Sequence, residues 1–252
     1  MRLGWSLFER GGLHVIRREL VQAEACMLRA RELLADEPQA GGILGHSLGS
    51  VYARQGRHAE ARQVYRQALE ADRRYGRRRG EGAVLNALAE IAREDGHLAE
   101  AESLYERSIA AFRDVSHPYY CIPLLNLGMV QLERGELQRA RPLLEEARQR
   151  AAQTGMRAIE GASSLALLPC VARAGDWLAW DRLLQEGHDK VLSGSEAVIS
   201  RDLAIGLELA AREAHASEGG RLRALETLEL ARAQYRALDD QAALARLTSW
   251  PA

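Results

Sequence analysis

Small residues interrupt the apolar pattern of residues 44–71 at fixed intervals. Gly49, Gly56, Ala61, Tyr65 and Ala68 are separated by seven, five, four and three residues. Ala89, Gly96, Ala101, Tyr105 and Ser108 repeat all four intervals, and Gly128, Gly135, Ala140, Leu144 and Ala147 repeat them again. The second member of each set belongs to a longer series, Gly56, Gly96, Gly135 and Gly175, spaced 40, 39 and 40 residues apart. This period predicts one antiparallel helix pair per unit, turning at a glycine free to take a positive φ. The small residue midway along the first helix (Gly49, Ala89, Gly128) lets the second approach closely. The one early in the second helix (Ala61, Ala101, Ala140) does so from the other side. Four residues on, Tyr65, Tyr105 or Leu144 lies on the same helix face and is expected to fill the gap towards the next unit.

Outside residues 42–150 the intervals persist while the sizes drift. Gly11, Arg18, Ala23, Met27 and Ala30 place an arginine at the turn, and Leu168, Gly175, Trp180, Leu184 and Gly187 place a tryptophan in a small slot. Pro169 is expected to interrupt its helix, because proline removes a backbone donor. A last pair is expected from an apolar helix over 197–214 and from Ala224, Leu228 and Ala231, with a longer turn at 215–220. A terminal helix with an acidic start caps it. The expected units are 3–37, 42–79, 82–115, 121–155, 161–192 and 197–238, with a capping helix at 239–249, in one solenoid over 1–252.

This small–large–small signature resembles the tetratricopeptide repeat (TPR). Its period is about six residues longer than the usual 34, as in arrays of bacterial signalling proteins and kinesin light chains. The subclass's Leu-Asn-Asn-Leu-Gly opening survives in part as Leu85-Asn86-Ala87-Leu88-Ala89 and Leu124-Leu125-Asn126-Leu127-Gly128. The resemblance implies an all-α, right-handed superhelical solenoid whose first helices line a concave wall. It also implies that wall positions bind a protein or peptide partner: His46, Ser50 and Arg54; Asn86, Glu90 and Arg93; Asn126, Met129 and Glu133. Asn86 and Asn126 would pair with the main chain of an extended peptide. The two-basic-residue clamp that some such proteins close on a terminal carboxylate is not reproduced.

Composition agrees with helices. Leucine (38) and alanine (42) far outnumber the 21 Val, Ile and Thr, which excludes a sheet-based core. A formal net charge of −1 gives no general attraction to nucleic acid or to an acidic membrane. The cysteines Cys26, Cys121 and Cys170 are far apart in apolar stretches, as suits reduced, buried thiols rather than a disulfide or zinc framework. No metal, cofactor or membrane span is expected, and the expected location is the cytoplasm. Trp177 stands where TPR units carry a core aromatic, and Trp5 and Trp250 would cover the ends of the array. Self-association through an unsealed apolar end stays open.

Two features point elsewhere. Gly45-His46-Ser47-Leu48-Gly49 fits the GxSxG nucleophile elbow, but that chemistry needs the serine on a sharp strand-to-helix turn. No β-rich run precedes it, so no catalytic residue is assigned and the chain is expected not to be an enzyme. Arg73, Arg74, Arg77, Arg78 and Arg79 form a basic cluster, read either as a patch for an anionic partner or as a solvated connection offset by Glu70, Asp72 and Glu81. The turn histidines, His58 and His97 among them, are expected to be solvated. The expected function is a protein-interaction scaffold. The alternative is a regulatory sensor serving a kinase, ATPase or transcription regulator.

Overall fold

A computed structural model describes residues 1–194, 197–248 and 250. Thirteen α-helices appear among them: α1 (Arg2–Ile16), α2 (Leu20–Leu33), α3 (Ala40–Arg54), α4 (His58–Arg74), α5 (Arg78–Glu94), α6 (Leu98–Asp114), α7 (Cys121–Glu133), α8 (Leu137–Gln153), α9 (Arg157–Arg173), α10 (Trp177–Gly187), α11 (Arg201–Ala216), α12 (Arg221–Ala237) and α13 (Gln241–Thr248). A 3-10 turn (Pro118–Tyr120) precedes α7, and a π-helical turn (His188–Leu192) extends α10. The chain forms two compact units, Met1–Pro123 and Leu124–Ala252. Position 249 of the expected capping helix lies outside the described residues. The helices α5, α9 and α11 start at Arg78, Arg157 and Arg201, whereas the pattern suggested starts at 82, 161 and 197.

The small slots have physical counterparts. A Cβ on Gly49 would stand 2.4 Å from Cε1 of Tyr65, and one on Gly45 would stand 2.8 Å from Cβ of Ala68. The ring of Tyr65 therefore lies over Gly49 of its own helix pair, and it shares one buried cluster with Val84, Leu85 and Leu88 of α5 in the next pair. Leu144 takes the same place over Gly128, where a Cβ would meet it at 2.5 Å. The turn glycines Gly56, Gly96, Gly135 and Gly175 all have φ between +68° and +80°.

Arg18 holds the same turn with φ +60°. The left-handed region costs an L-residue with Cβ roughly 1–2 kcal/mol, more than the added backbone entropy of glycine. Arg18→Gly is thus expected to stabilise the first unit by about 0.5–1 kcal/mol, seen as a higher urea midpoint with unchanged slope.

The helix α9 runs through Pro169 without a break, so the expected interruption does not occur. Proline's missing donor concerns only its own i−4 bond, and the surrounding Leu165, Leu168, Val171 and Ala172 are all buried; their burial holds the helix together across the gap. The slots of small residues in other pairs are here filled by bulk, as Leu168 and Trp180 are both fully buried. The pair instead closes on other glycines: a Cβ on Gly187 would meet Leu165 at 2.4 Å, and one on Gly161 would meet Cβ of Lys190 at 2.7 Å.

The last helices are tied by one carboxylate. Glu208, 6% exposed, accepts from Tyr235 Oη (2.9 Å), Arg246 (2.7 Å) and Arg212 (2.8 Å). Asp240 Oδ1 accepts from the N–H of Ala243 to start α13, and Trp250 packs on the same cluster. Burial pushes the Glu208 carboxyl up, but the bonds from Arg246, Tyr235 and Arg212 outweigh it, leaving it below its ordinary value of 4.5. A carboxyl depressed in the fold stabilises above its unfolded pKa, and that stability is lost as pH falls through the folded value. Glu208→Gln is expected to cost about 2 kcal/mol at pH 7 and to flatten the loss of stability below pH 4.5, measured by urea unfolding across pH 3–7.

Candidate functional site

In the first unit the expected wall residues fall on α3 and α5. His46 and Ser50 are half-buried and Arg54 exposed on α3; Asn86 and Arg93 are half-buried and Glu90 exposed on α5. The carboxamide of Asn86 donates to Glu90 (2.7 Å). Tyr65 comes up from α4 between these helices, sharing a hydrogen bond with Ser50 and feeling the charges of Glu90 and Arg54. Burial, then Glu90, hold its phenol protonated well above the ordinary range. The ring of His46 lies 6.0 Å from that of Tyr65, and burial lowers its pKa.

In the second unit the corresponding positions are not an open wall. Met129 and Asn126 are buried, at 3% and 9% exposure. They line a cavity of about 200 Å3 with Val191, Val198, Ser200, Leu203 and Gly206. The physical cause is the connector after the π-helical turn, which the repeat pattern did not show. Val198 N–H donates to Val191 O (2.8 Å), and the carboxamide of Gln234 bridges Val198 O (3.1 Å) and Ser200 N–H (3.0 Å). The connector thereby stays against the first helices. Glu133 remains half-buried at the end of α7.

The arginine cluster divides in two. Arg73 bonds Glu81 (2.8 Å), and Arg78 bonds Glu81 (2.5 Å) and Asp114. Burial raises the Glu81 carboxyl while Arg73 and Arg78 pull it down, with a net lowering. Arg77 pairs with Asp72 at 2.6 Å and donates to Gln39 O. Asp72 is only 3% exposed, because Gly42 and Gly80 offer it bare backbone: a Cβ at either would stand 2.0 or 2.3 Å from its carboxylate. Arg74 and Arg79 are exposed, and the Arg79 guanidinium lies 5.6 Å from the centre of the Tyr119 ring.

Arg77, Arg78 and Arg79 border a cleft of about 740 Å3 that spacing alone did not reveal. Its walls include Ile43, Ala83, Phe112, Val115 and Tyr119, and His46, Ser47 and His117 face into it. Nδ1 of His117 accepts from Tyr119 N–H (3.3 Å), which fixes its proton on Nε2. The only sequence signal was the basic run itself, since the histidines and aromatics arrive from three separate segments.

Ser47 sits in mid-helix on α3, so GxSxG here makes no elbow and no strand precedes it among the described residues. His58 is not simply solvated: its Nδ1 lies 3.1 Å from Asp95, which Arg62 also pairs at 2.6 Å, linking two successive turns. Trp177 is half-buried and caps the following turn, donating to Glu218 O (3.2 Å) beneath the Arg223 guanidinium. The cysteines are free thiols, with Cys170 pushed up to about 11 by burial. Among the described residues no group of His, Cys, Asp and Glu could hold a metal ion. No helix there is long and apolar enough to cross a membrane.

Residues 39–114 match the tetratricopeptide repeat family. No curated protein matches the sequence. Among solved structures, PilF of Pseudomonas aeruginosa is similar with TM-score 0.65 and 18% identity, over 95% of this chain and 93% of its own. A Rap protein complexed with competence and sporulation factor aligns with TM-score 0.67 and 14% identity, over 97% of this chain and 72% of its own. BtubC from P. vanneervenii aligns with TM-score 0.66 and 16% identity, over 88% and 92% respectively. At these identities the likeness shows a shared all-α repeat fold.

Proposed function

We propose that this chain of tetratricopeptide repeats is a non-enzymatic scaffold that binds a peptide or partner domain along the first-helix wall of its first unit. The repeat family supports an interaction module in general, since stacked helix pairs present extended surfaces rather than closed pockets. The observation that carries the more specific reading is the polar row on α3 and α5: His46, Ser50 and Arg54 beside Asn86, Glu90 and Arg93, with Tyr65 between them. Asn86 is held in place by Glu90, so its carboxamide is oriented before a partner arrives, which lowers the ordering cost of binding. Asn126 and Met129, enclosed in the second unit, have no part in this surface. A cytoplasmic setting belongs to the same proposal.

The test is partner capture from the source cell with a photo-crosslinker at Arg54, compared with the same chain carrying Asn86→Ala and Glu90→Ala. The expected result is a specific adduct that the double variant loses, with its urea midpoint nearly unchanged. Capture of the same partner at equal yield by the variant would refute the assignment of this wall. A second reading, a sensor that switches a separate signalling protein, draws support from the neighbouring 740 Å3 cleft, because a scaffold alone needs no such recess.

A further inference from the structure

We propose that the cleft of the first unit binds a small amphipathic carboxylate: an apolar chain or ring that ends in a single negative charge. The ligand site shares His46 with the wall proposed above but does not rest on that reading.

The charge of the ligand follows from the arginines. Arg78 is occupied by Glu81 and Asp114, and Arg77 by the buried Asp72. Arg79 is different. It is exposed, no carboxylate among the described residues pairs with it, and Tyr119 holds its guanidinium at the rim. One uncompensated cation at the mouth of a recess calls for one anion.

The histidines add donors without adding charge. The Nδ1 of His117 is committed to Tyr119 N–H, so Nε2 carries the proton and can donate. Burial, and then Arg79, lower the pKa of His117, while burial lowers that of His46. Both rings stay neutral near pH 7. A doubly charged phosphate would find only one free guanidinium here. A carboxylate is matched by the guanidinium and an imidazole N–H.

The rest of the cleft sets the body of the ligand. Ile43, Ala83, Phe112 and Val115 supply apolar wall below the basic rim, with the face of Tyr119 beside them. A volume of about 740 Å3 lies in the usual range for small-molecule sites and exceeds what a short acid such as acetate would fill. An apolar body is needed to displace the water from it. The floor is held rigidly, because Arg77, locked between Asp72 and Gln39 O, joins the α3 and α5 sides.

Titration calorimetry on the full chain tests this with decanoate, 1-decanol and decylammonium as probes. Decanoate is expected to bind at least tenfold tighter than either of the others, the margin of one charge-assisted contact. Octanoate, two methylenes shorter, should bind about tenfold more weakly than decanoate. Arg79→Glu, a change at an exposed position, should weaken decanoate at least tenfold while leaving the far-ultraviolet spectrum unchanged. The imidazole Cε1–H signals of His46 and His117 should move on saturation with decanoate. The proposal is overturned by equal affinity for the three head groups, by an unaffected Arg79→Glu, or by still imidazole signals. It is overturned equally if all the free acids fail while a peptide ending in Leu-Leu with a free carboxylate binds. None of these results depends on the partner captured in the crosslinking experiment, so either proposal can fail alone.

Discussion

Arg77→Ala is expected to destabilise the first unit by about 3–5 kcal/mol at pH 7, because it leaves a buried carboxylate without its counter-charge. Asp72 is 3% exposed and its partner guanidinium lies 2.6 Å away. Burial already raises the Asp72 carboxyl above its ordinary 3.8, with Arg77 opposing and Glu81 assisting the rise. Without Arg77 the rise must grow. A carboxyl whose folded pKa lies above its unfolded one penalises the fold at high pH, and the penalty fades as pH falls through the folded value. The deficit of Arg77→Ala should therefore shrink between pH 7 and pH 4, opposite to the acid sensitivity set by Glu208. Adding Asp72→Asn should restore much of the loss at pH 7, since an amide in the same place carries no charge. Urea unfolding of the single and double variants across that range checks the sign. A deficit that stays constant with pH would mean that Asp72 is hydrated or paired elsewhere.

Trp180→Ala is expected to cost the second unit about 3–5 kcal/mol, the usual range for emptying a large aromatic site in a core. Trp180 has no solvent exposure and packs edge-on to Trp177 at 5.9 Å between ring centres. Its indole N–H has no hydrogen-bond partner among the described residues, so the side chain contributes volume and not a polar bond. Trp180→Phe keeps most of that volume and should cost much less, about 1–2 kcal/mol. Thermal unfolding of the two variants separates the alternatives, since equal losses would show that the indole nitrogen matters after all.

The repeat was legible because its residues act through size and backbone freedom, both carried by residue type. Gly49 and Gly128 sit under Tyr65 and Leu144, and the turn glycines hold the positive φ that their spacing implied. The errors have equally physical roots. Pro169 was expected to break a helix that burial on both sides of it maintains. The wall of the second unit was misjudged at Asn126 and Met129, since residues 197–200, about 70 positions downstream and expected as the start of a helix, form a non-helical connector that helps to enclose them. The cleft was invisible for a related reason. His46, Arg79 and His117 are brought together only by folding, and the two glycines that cradle Asp72 lie outside the repeating slots.

That cradle bears on how this segment could be rearranged. Asp72 on α4 draws its glycine neighbours from α3 and α5 and its counter-ion from the turn between α4 and α5. Cutting the array at the 76–77 turn would part the carboxylate from Arg77 and Gly80 even though every helix stayed whole. A transplanted unit would carry an unmatched charge into its new host, so the interchangeable module here ends not at the turn but at position 80, inside α5.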